Sequence, residues 1–161
     1  MKKYLFSLFF FLFIFSVGIV FSEENLIAQV TTLQVGKLSF QIPSGFKPEF
    51  RGTMYSKRSG LFNSRVECVS IRDSSNHSNK SKEQVFASIK ENSKKMMLVV
   101  NKIEEIDVDG RQVLFVWMNV QGLNAYFFED GLLYDITYVN YKKKDYNTAK
   151  SFVSDIIRTA R

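Results

Sequence analysis

Cysteine and histidine are almost absent from this 161-residue chain, which has one of each, Cys68 and His77. A single cysteine excludes a disulfide framework, a cysteine-rich zinc site and a CxxC redox motif. A single histidine leaves too few nitrogen ligands for a multi-histidine metal centre. Only two prolines and eight glycines occur, which excludes collagen-like and long disordered chains. The length then predicts one ordinary domain with a leader, and not two domains.

Catalytic signatures are also missing, since the sequence has no GxSxG, HExxH or Walker motif. His77 lies in a polar stretch that lacks the shelter and the orienting partner a triad base needs. Cys68 lies in a strand-like stretch and is predicted to be a buried small hydrophobe, not the thiolate partner of His77. The sequence therefore predicts no cofactor, no metal site and no enzymatic activity. An enzyme with an unrecognised carboxylate site at Glu105 and Asp107 stays open as an alternative, because these two residues would share one face of a strand.

The first 22 residues have the layout of a secretory signal peptide. Lys2 and Lys3 precede an uncharged run at 4–21 that holds seven phenylalanines, and Ser22 places a small residue at the end. We predict export to the periplasm or the extracellular space, with a signal peptide at 1–22, a linker at 23–34 and a domain at 35–161. The alternative is an uncleaved N-terminal membrane anchor, the one case in which a membrane contact is expected.

Cleavage after residue 22 would leave 20 Lys and Arg against 16 Asp and Glu, a net charge of +4. This mild excess permits an anionic partner but does not demand one. Nucleic acid is not expected, because the sequence shows no recognition helix and no alternation of aromatic and basic residues.

The hydrophobic pattern predicts a mixture of strands and helices. Strands are predicted at 38–42, 53–56, 64–72, 103–108, 112–120, 123–129 and 132–139, the last four joined by short glycine turns. A turn is predicted at 57–60 and a polar loop at 73–81. One helix is predicted at about 82–98, with Ser81 and Gln84 as a capping box. A second helix is predicted from Tyr146 to Ala160, capped by Asp145 or Asn140.

Four segments carry a resemblance to a known family: Leu38–Phe46 (LSFQIPSGF), Val108–Arg111 (VDGR), Tyr126–Tyr134 (YFFEDGLLY) and Phe152–Ile157 (FVSDII). With the order of elements, they resemble the PsbP-like superfamily, which includes the photosystem subunit PsbP, a nuclear Ran-binding protein and DcrB-type bacterial envelope proteins. The resemblance implies an α+β fold: an antiparallel sheet of six to seven strands flanked by helices, ending in a C-terminal helix, as a PsbP-like α/β/α sandwich. It also implies binding or assembly roles more than catalysis. Bacterial members are often lipoproteins, whereas this chain has no cysteine near the end of its leader.

A basic run supplies the candidate binding residues Lys142, Lys143, Lys144 and Tyr141. Three lysines at a helix start oppose the helix dipole, which indicates a contact with an acidic partner or an anionic surface. The alternative is a solvated loop before Asp145. Lys150, Tyr134 and Tyr138 are expected nearby, the two tyrosines adding aromatic contacts.

Taken together, the sequence predicts an exported, non-enzymatic envelope protein. It would bind or assist assembly of another envelope component, either an envelope protein or an anionic envelope surface. The alternative to this function is a carrier of a small apolar ligand, held in a pocket between the sheet and a helix.

Overall fold

The computed structural model describes residues 30–60, 62–74, 80–95, 100–119, 122–142 and 145–161. Its strands are β1 (Thr31–Val35), β2 (Leu38–Ile42), β3 (Lys47–Glu49), β4 (Met54–Ser59), β5 (Ser64–Ser74), β6 (Val100–Val108), β7 (Arg111–Met118), β8 (Gly122–Glu129) and β9 (Leu132–Asn140). Its helices are α1 (Lys82–Lys95) and α2 (Tyr146–Arg158). A short 3-10 turn, Phe50–Gly52, joins β3 to β4.

Seven of the strands form one antiparallel sheet in the order β3-β4-β5-β9-β8-β7-β6, and β1 pairs with β2 in a separate hairpin. The run from β6 to β9 is the predicted meander. Asp109 and Gly110 have positive φ angles of 55° and 81°, and Asp130 and Gly131 have 50° and 78°. Tight hairpins need this pair of left-handed residues, which is why Asp-Gly recurs at both turns.

One face of the large sheet is covered by α2 and the β1–β2 hairpin. Asp145 caps α2 as predicted, because its carboxylate accepts a hydrogen bond from the Thr148 backbone N–H at 2.9 Å. The chain end is tied to β2, since Ser39 N–H donates to the Arg161 carbonyl at 2.9 Å and Arg161 N–H donates back at 3.2 Å. Fully buried side chains fill this layer, among them Phe40, Val69, Phe115, Phe127, Tyr134, Ile136, Val153 and Ile157.

The other face is covered over β6, β7 and β8 by α1. Phe86 packs there with the buried Leu114, Val116 and Met118 of β7. The predicted capping box starts α1: Gln84 N–H donates to Ser81 Oγ at 3.3 Å, and Ser81 N–H donates to Gln84 Oε1 at 3.0 Å. Strand β7 is therefore covered on both faces, as its lack of a polar face predicts.

The predicted fold class is confirmed: an antiparallel seven-stranded sheet flanked by helices and ending in a C-terminal helix. Two local predictions are corrected. Residues 57–59, predicted as part of a turn, continue β4, because pairing with β5 outweighs their charged composition. After β4, Asn63 N–H donates to the Gly60 carbonyl at 3.0 Å. Strand β1 begins at Thr31, inside the segment assigned to a linker, because pairing with β2 orders it.

The predicted leader lies outside the described residues, as does most of the predicted polar loop at 73–81. Within the part of the chain that the structure describes, neither helix is long and apolar enough to cross a membrane.

Candidate functional site

Of the two candidate nucleophilic or metal-binding side chains, Cys68 and His77, the structure describes Cys68. Cys68 is buried in β5 with 5% of its surface exposed, so the predicted buried thiol is confirmed. Burial raises the pKa of this thiol, and the nearby Tyr141 hydroxyl partly opposes the shift. His77 lies outside the described residues. A thiol that is kept protonated and buried is a poor nucleophile.

Glu105 and Asp107, the two carboxylates of the alternative enzyme site, make two different contacts. Glu105 pairs with Lys90 of α1 at 3.0 Å. Asp107 accepts a hydrogen bond from Gly110 N–H at 2.9 Å and stabilises the following turn. Among the described residues, no three His, Cys, Asp or Glu side chains group as metal ligands. The two carboxylates proposed for an alternative enzyme site therefore have structural contacts of their own.

The predicted aromatic contacts around the basic run are corrected. Tyr134 and Tyr138 are buried in the core, with 0% and 2% of their surface exposed, because they point to the α2 face. Lys150 is paired with Glu104 at 2.7 Å. Tyr141 and Lys142 are exposed at the end of β9, while Lys143 and Lys144 lie outside the described residues.

Tyr141 lies beside a charged network that the sequence analysis missed. Arg58 of β4 and Arg65 of β5 are direct cross-strand partners, an arrangement of like charges that is unfavourable by itself. The Glu49 carboxylate lies between them: Oε1 is 2.7 Å from Arg58 Nη2, and Oε2 is 2.6 Å from Arg65 Nη2. Ser56 Oγ also donates a short hydrogen bond to Glu49. The Ser56 hydroxyl and the two guanidinium groups lower the pKa of Glu49 to about 2, so the carboxylate stays charged.

A bulge explains how two strand neighbours reach the same carboxylate. The β4–β5 register passes from Lys57↔Glu67 to Arg58↔Arg65 and skips Val66. The extra residue, Val66, interrupts the pattern in which successive side chains point to opposite faces of the sheet. Arg65 is thereby brought to the same side of the sheet as Arg58. No sequence motif indicates this bulge. The network therefore became visible only in the strand pairing of the folded protein.

Three exposed aromatic rings lie on the segments that carry or adjoin this network. Phe50, Phe62 and Tyr141 have 65%, 92% and 56% of their surface exposed. The Arg65 guanidinium lies 5.2 Å from the centre of the Phe50 ring, and Tyr141 N–H donates to the Val66 carbonyl at 2.9 Å. Phe62 lies in the β4–β5 turn, which Arg58 contacts through the Asn63 carbonyl at 3.0 Å.

We call this surface the arginine corner and define it by its members: Glu49, Phe50, Arg51, Arg58, Phe62, Arg65, Tyr141 and Lys142. These members include four cationic side chains and one carboxylate, which gives a formal net charge of +3. Phe50 and Arg51 have positive φ angles of 48° and 58°. A bulky residue in this region is a backbone outlier, and such outliers cluster at functional sites.

A second polar cluster lies on β8 and β9, on the α1 side of the sheet. Asn124 and Asp135 each bury a side-chain oxygen for which no donor occurs in the structure as described. Burial raises the pKa of Asp135, and burial together with the Asp135 charge raises the pKa of Tyr126 to about 12. The charge of Arg72 partly opposes the shift of Asp135, and we assign this cluster no reaction.

The contact between α2 and the sheet bears on the apolar-carrier alternative. Tyr138 stacks on Phe152 of α2 with ring centres 4.4 Å apart, and Phe46 lies 5.5 Å from the same ring. Phe127 stacks on Tyr134 at 5.2 Å. These rings occupy the space between sheet and helix where the carrier would hold its ligand, so this layer lends that alternative no support.

Comparisons with known proteins agree with the topology. No family model and no curated protein matches the chain, but 14 chains of known structure do. The solution structure of cyanobacterial PsbP (CyanoP) from Synechocystis sp. PCC 6803 matches with a TM-score of 0.53 and 14% identity, over 89% of this chain and 98% of that one.

A Pseudomonas aeruginosa protein of unknown function, PA94, matches with a TM-score of 0.48 and 13% identity, over 79% of this chain and 94% of that one. Likenesses at these identities concern the fold alone. With the strand order and the terminal helix described above, the likeness to CyanoP identifies this chain as a protein with a PsbP-like fold, as the resemblance in its sequence predicted.

Proposed function

We propose that this is an exported, non-enzymatic protein that binds another component of the cell envelope through the arginine corner. The observation that carries the proposal is the clustering of exposed rings. Four large hydrophobic side chains are exposed among the described residues, and three of them, Phe50, Phe62 and Tyr141, belong to the corner. Isolated exposed rings are ordinary, but clustered ones are typical of a contact surface.

The composition of the corner supports a macromolecular partner. Aromatic residues and arginine are the types enriched in protein interfaces, and they contribute most of the binding energy there. The predicted contact residues Tyr141 and Lys142 belong to the same surface. The neighbouring Lys143 and Lys144 stay predictions, because they lie outside the described residues.

Site-specific cross-linking tests the proposal in cells that export the full chain. A photoreactive phenylalanine analogue is placed at Phe62, whose side chain is the most exposed of the three rings. We expect one discrete protein adduct, identified by mass spectrometry. The same analogue at Ala87, an exposed position of α1, is the matched control and should give no such adduct.

A second variant tests whether formation of the adduct depends on the other rings of the corner. Replacing Phe50 and Tyr141 by Ala removes two rings and leaves the cross-linking position unchanged, so the adduct should fall strongly while the protein stays folded. An adduct of equal yield in this variant, or at Ala87, would mean that the corner is not the binding surface.

The non-enzymatic part of the proposal has its own test. Changing His77→Ala together with Cys68→Ser removes the two side chains on which nucleophilic chemistry would depend. We expect the cellular role to persist in this double variant, with a small change in melting temperature. Loss of the role at an unchanged melting temperature would contradict this part of the proposal and favour an enzyme.

A further inference from the structure

The arginine pair of the corner has hydrogen-bonding capacity that the protein itself does not use. A guanidinium offers five N–H donors. Arg58 directs Nε and Nη2 to Glu49 Oε1, at 2.8 and 2.7 Å, and Nη1 to the Asn63 carbonyl at 3.0 Å. Arg65 contacts Glu49 through Nη2 and its Nε is buried without an acceptor among the described residues, so the donors that Arg65 can offer to a partner are on its Nη atoms. Both side chains remain accessible, with 40% and 34% of their surface exposed.

The pair is also held in place before any partner arrives. Glu49 fixes both guanidinium groups, and the Phe50 ring lies against Arg65. Ordering a long arginine side chain costs free energy on binding, so groups that are already ordered bind more tightly. Two cations share one carboxylate, which leaves the pair with a net charge of +1.

We propose that Arg58 and Arg65 together bind a carboxylate of a protein partner, an Asp or Glu side chain set among apolar residues. This inference rests on the proposed binding function of the corner. Guanidinium groups match the planar carboxylate in a two-point contact, and each of these two has more N–H groups than its contacts with Glu49 and Asn63 use. The flanking rings of Phe50, Phe62 and Tyr141 match apolar neighbours of that side chain. They therefore favour a protein surface over a lipid headgroup layer.

A direct test uses the isolated protein with acetate as the probe. The arginine Nε–Hε signals are followed by NMR during titration with sodium acetate, and in parallel with sodium chloride at equal ionic strength. The signals of Arg58 and Arg65 should shift saturably with acetate alone. Arg158, an exposed arginine of α2 outside the corner, is the internal control and should shift equally little with both salts. Shifts that are the same for acetate and chloride would overturn the carboxylate site.

A second test asks whether the partner uses this site. Changing Arg58 and Arg65 to Lys keeps the charge but removes the two-point contact, so the Phe62 adduct should fall about tenfold. Arg158→Lys, at an exposed arginine of α2 that pairs with Asp155 outside the corner, should leave it unchanged. If the double variant unfolds, Arg58→Lys alone is the deciding variant, because this side chain is the more exposed of the two.

The outcomes separate this inference from the proposed function. An adduct that persists in the lysine variants overturns the carboxylate site and leaves the binding surface standing. If the unmodified corner gives no adduct, the proposed function itself fails. Binding to phosphatidylglycerol vesicles that is equally strong in the lysine variants would mean that a lipid surface is the partner, which also overturns the inference.

Discussion

Gly122 shows at the scale of one residue how closely two strands pack. It opens β8 with a φ of 85°, and a Cβ built there would lie 2.3 Å from the Tyr138 carbonyl oxygen of β9. A side chain at position 122 is therefore unfavourable for two reasons: the positive φ angle and the lack of space for a Cβ atom. A glycine that looked like an ordinary turn residue in the sequence is a site of close strand contact.

Gly122→Ala should destabilise the protein by more than the positive φ alone would cost, which is about 1–2 kcal/mol. The additional cost arises because the backbone of β9 must move. Gly110→Ala is the matched control, since Gly110 has a φ of 81° and nothing within 4 Å of its built Cβ. Urea unfolding measures both variants. Equal losses of unfolding free energy would show that the close approach to Tyr138 has no energetic consequence.

Trp117, the single tryptophan, reports on the core beside it. Its side chain is 9% exposed, and the Tyr146 ring of α2 lies 6.1 Å from it, edge to face. The native fluorescence should be blue-shifted and move to longer wavelength on unfolding. Trp117→Ala should cost about 3–5 kcal/mol of unfolding free energy. A native spectrum resembling that of free tryptophan would contradict the burial.

At the scale of elements, one carboxylate joins the edge strand β6 to α2. Glu104 Oε2 accepts a hydrogen bond from Tyr146 Oη at 2.5 Å and lies 2.7 Å from Lys150 Nζ. Lys102 of β6 lies 4.3 Å from the centre of the Tyr146 ring. Lys150 and then Tyr146 lower the pKa of Glu104 to about 2. Lys150, which the sequence analysis expected near the basic run, is a structural residue of this link.

This link makes stability depend on pH in a defined window. Since the folded-state pKa of Glu104 lies below its ordinary value of 4.5, its contribution is fully present above pH 4.5 and disappears as the pH falls towards 2. Glu104→Gln should therefore lower the unfolding free energy at pH 7, and the difference from the unchanged protein should shrink below pH 4.5.

Glu91→Gln is the control for this effect, because Glu91 is 64% exposed and pairs with the exposed Lys95 on the surface of α1. Exposed pairs of this kind contribute little to stability. Denaturant titrations at several pH values measure the unfolding free energies of both variants and of the unchanged protein. A Glu104→Gln difference that stays constant from pH 7 to pH 2.5 would show that the carboxylate charge is not what joins β6 to α2.

At the scale of the whole molecule, the two sides of the sheet have different roles. The α2 side is filled by buried aromatic and aliphatic side chains, whereas the α1 side becomes polar towards β4 and β5 and ends in the arginine corner. A sheet face that is polar at one end and flanked by exposed rings has a natural contact surface there. The binding function is proposed for this part of the molecule for that reason.

Export is the prediction that concerns the full chain. Lys2 and Lys3, the phenylalanine-rich run and Ser22 predict cleavage before Glu23. N-terminal sequencing of the protein isolated from its native cells should read Glu23-Glu24-Asn25. A full-length chain recovered from the membrane fraction would support the anchor alternative.

Much of the fold was predictable, because it depends on local periodicity and turn chemistry. The alternation in 38–42 and 132–139 predicted strands, and Asp109-Gly110 and Asp130-Gly131 predicted the hairpins that the structure contains. Ser81 and Gln84 identified the start of α1. These signals span a few residues each, so no knowledge of distant contacts was needed.

Only the tertiary structure decided which side chains form the proposed binding surface. Tyr134 and Tyr138 lie in β9 and Tyr141 follows its last residue, yet the first two are buried and the third is exposed. Alternate residues of a strand face opposite sides of the sheet, so the even-numbered tyrosines point to the α2 side. The arginine corner joins residue 49 to residue 141, and its geometry depends on a bulge that has no sequence signature. Composition and local pattern determined the class and the elements of this protein. Strand pairing, which acts between residues far apart in the chain, determined which side chains meet.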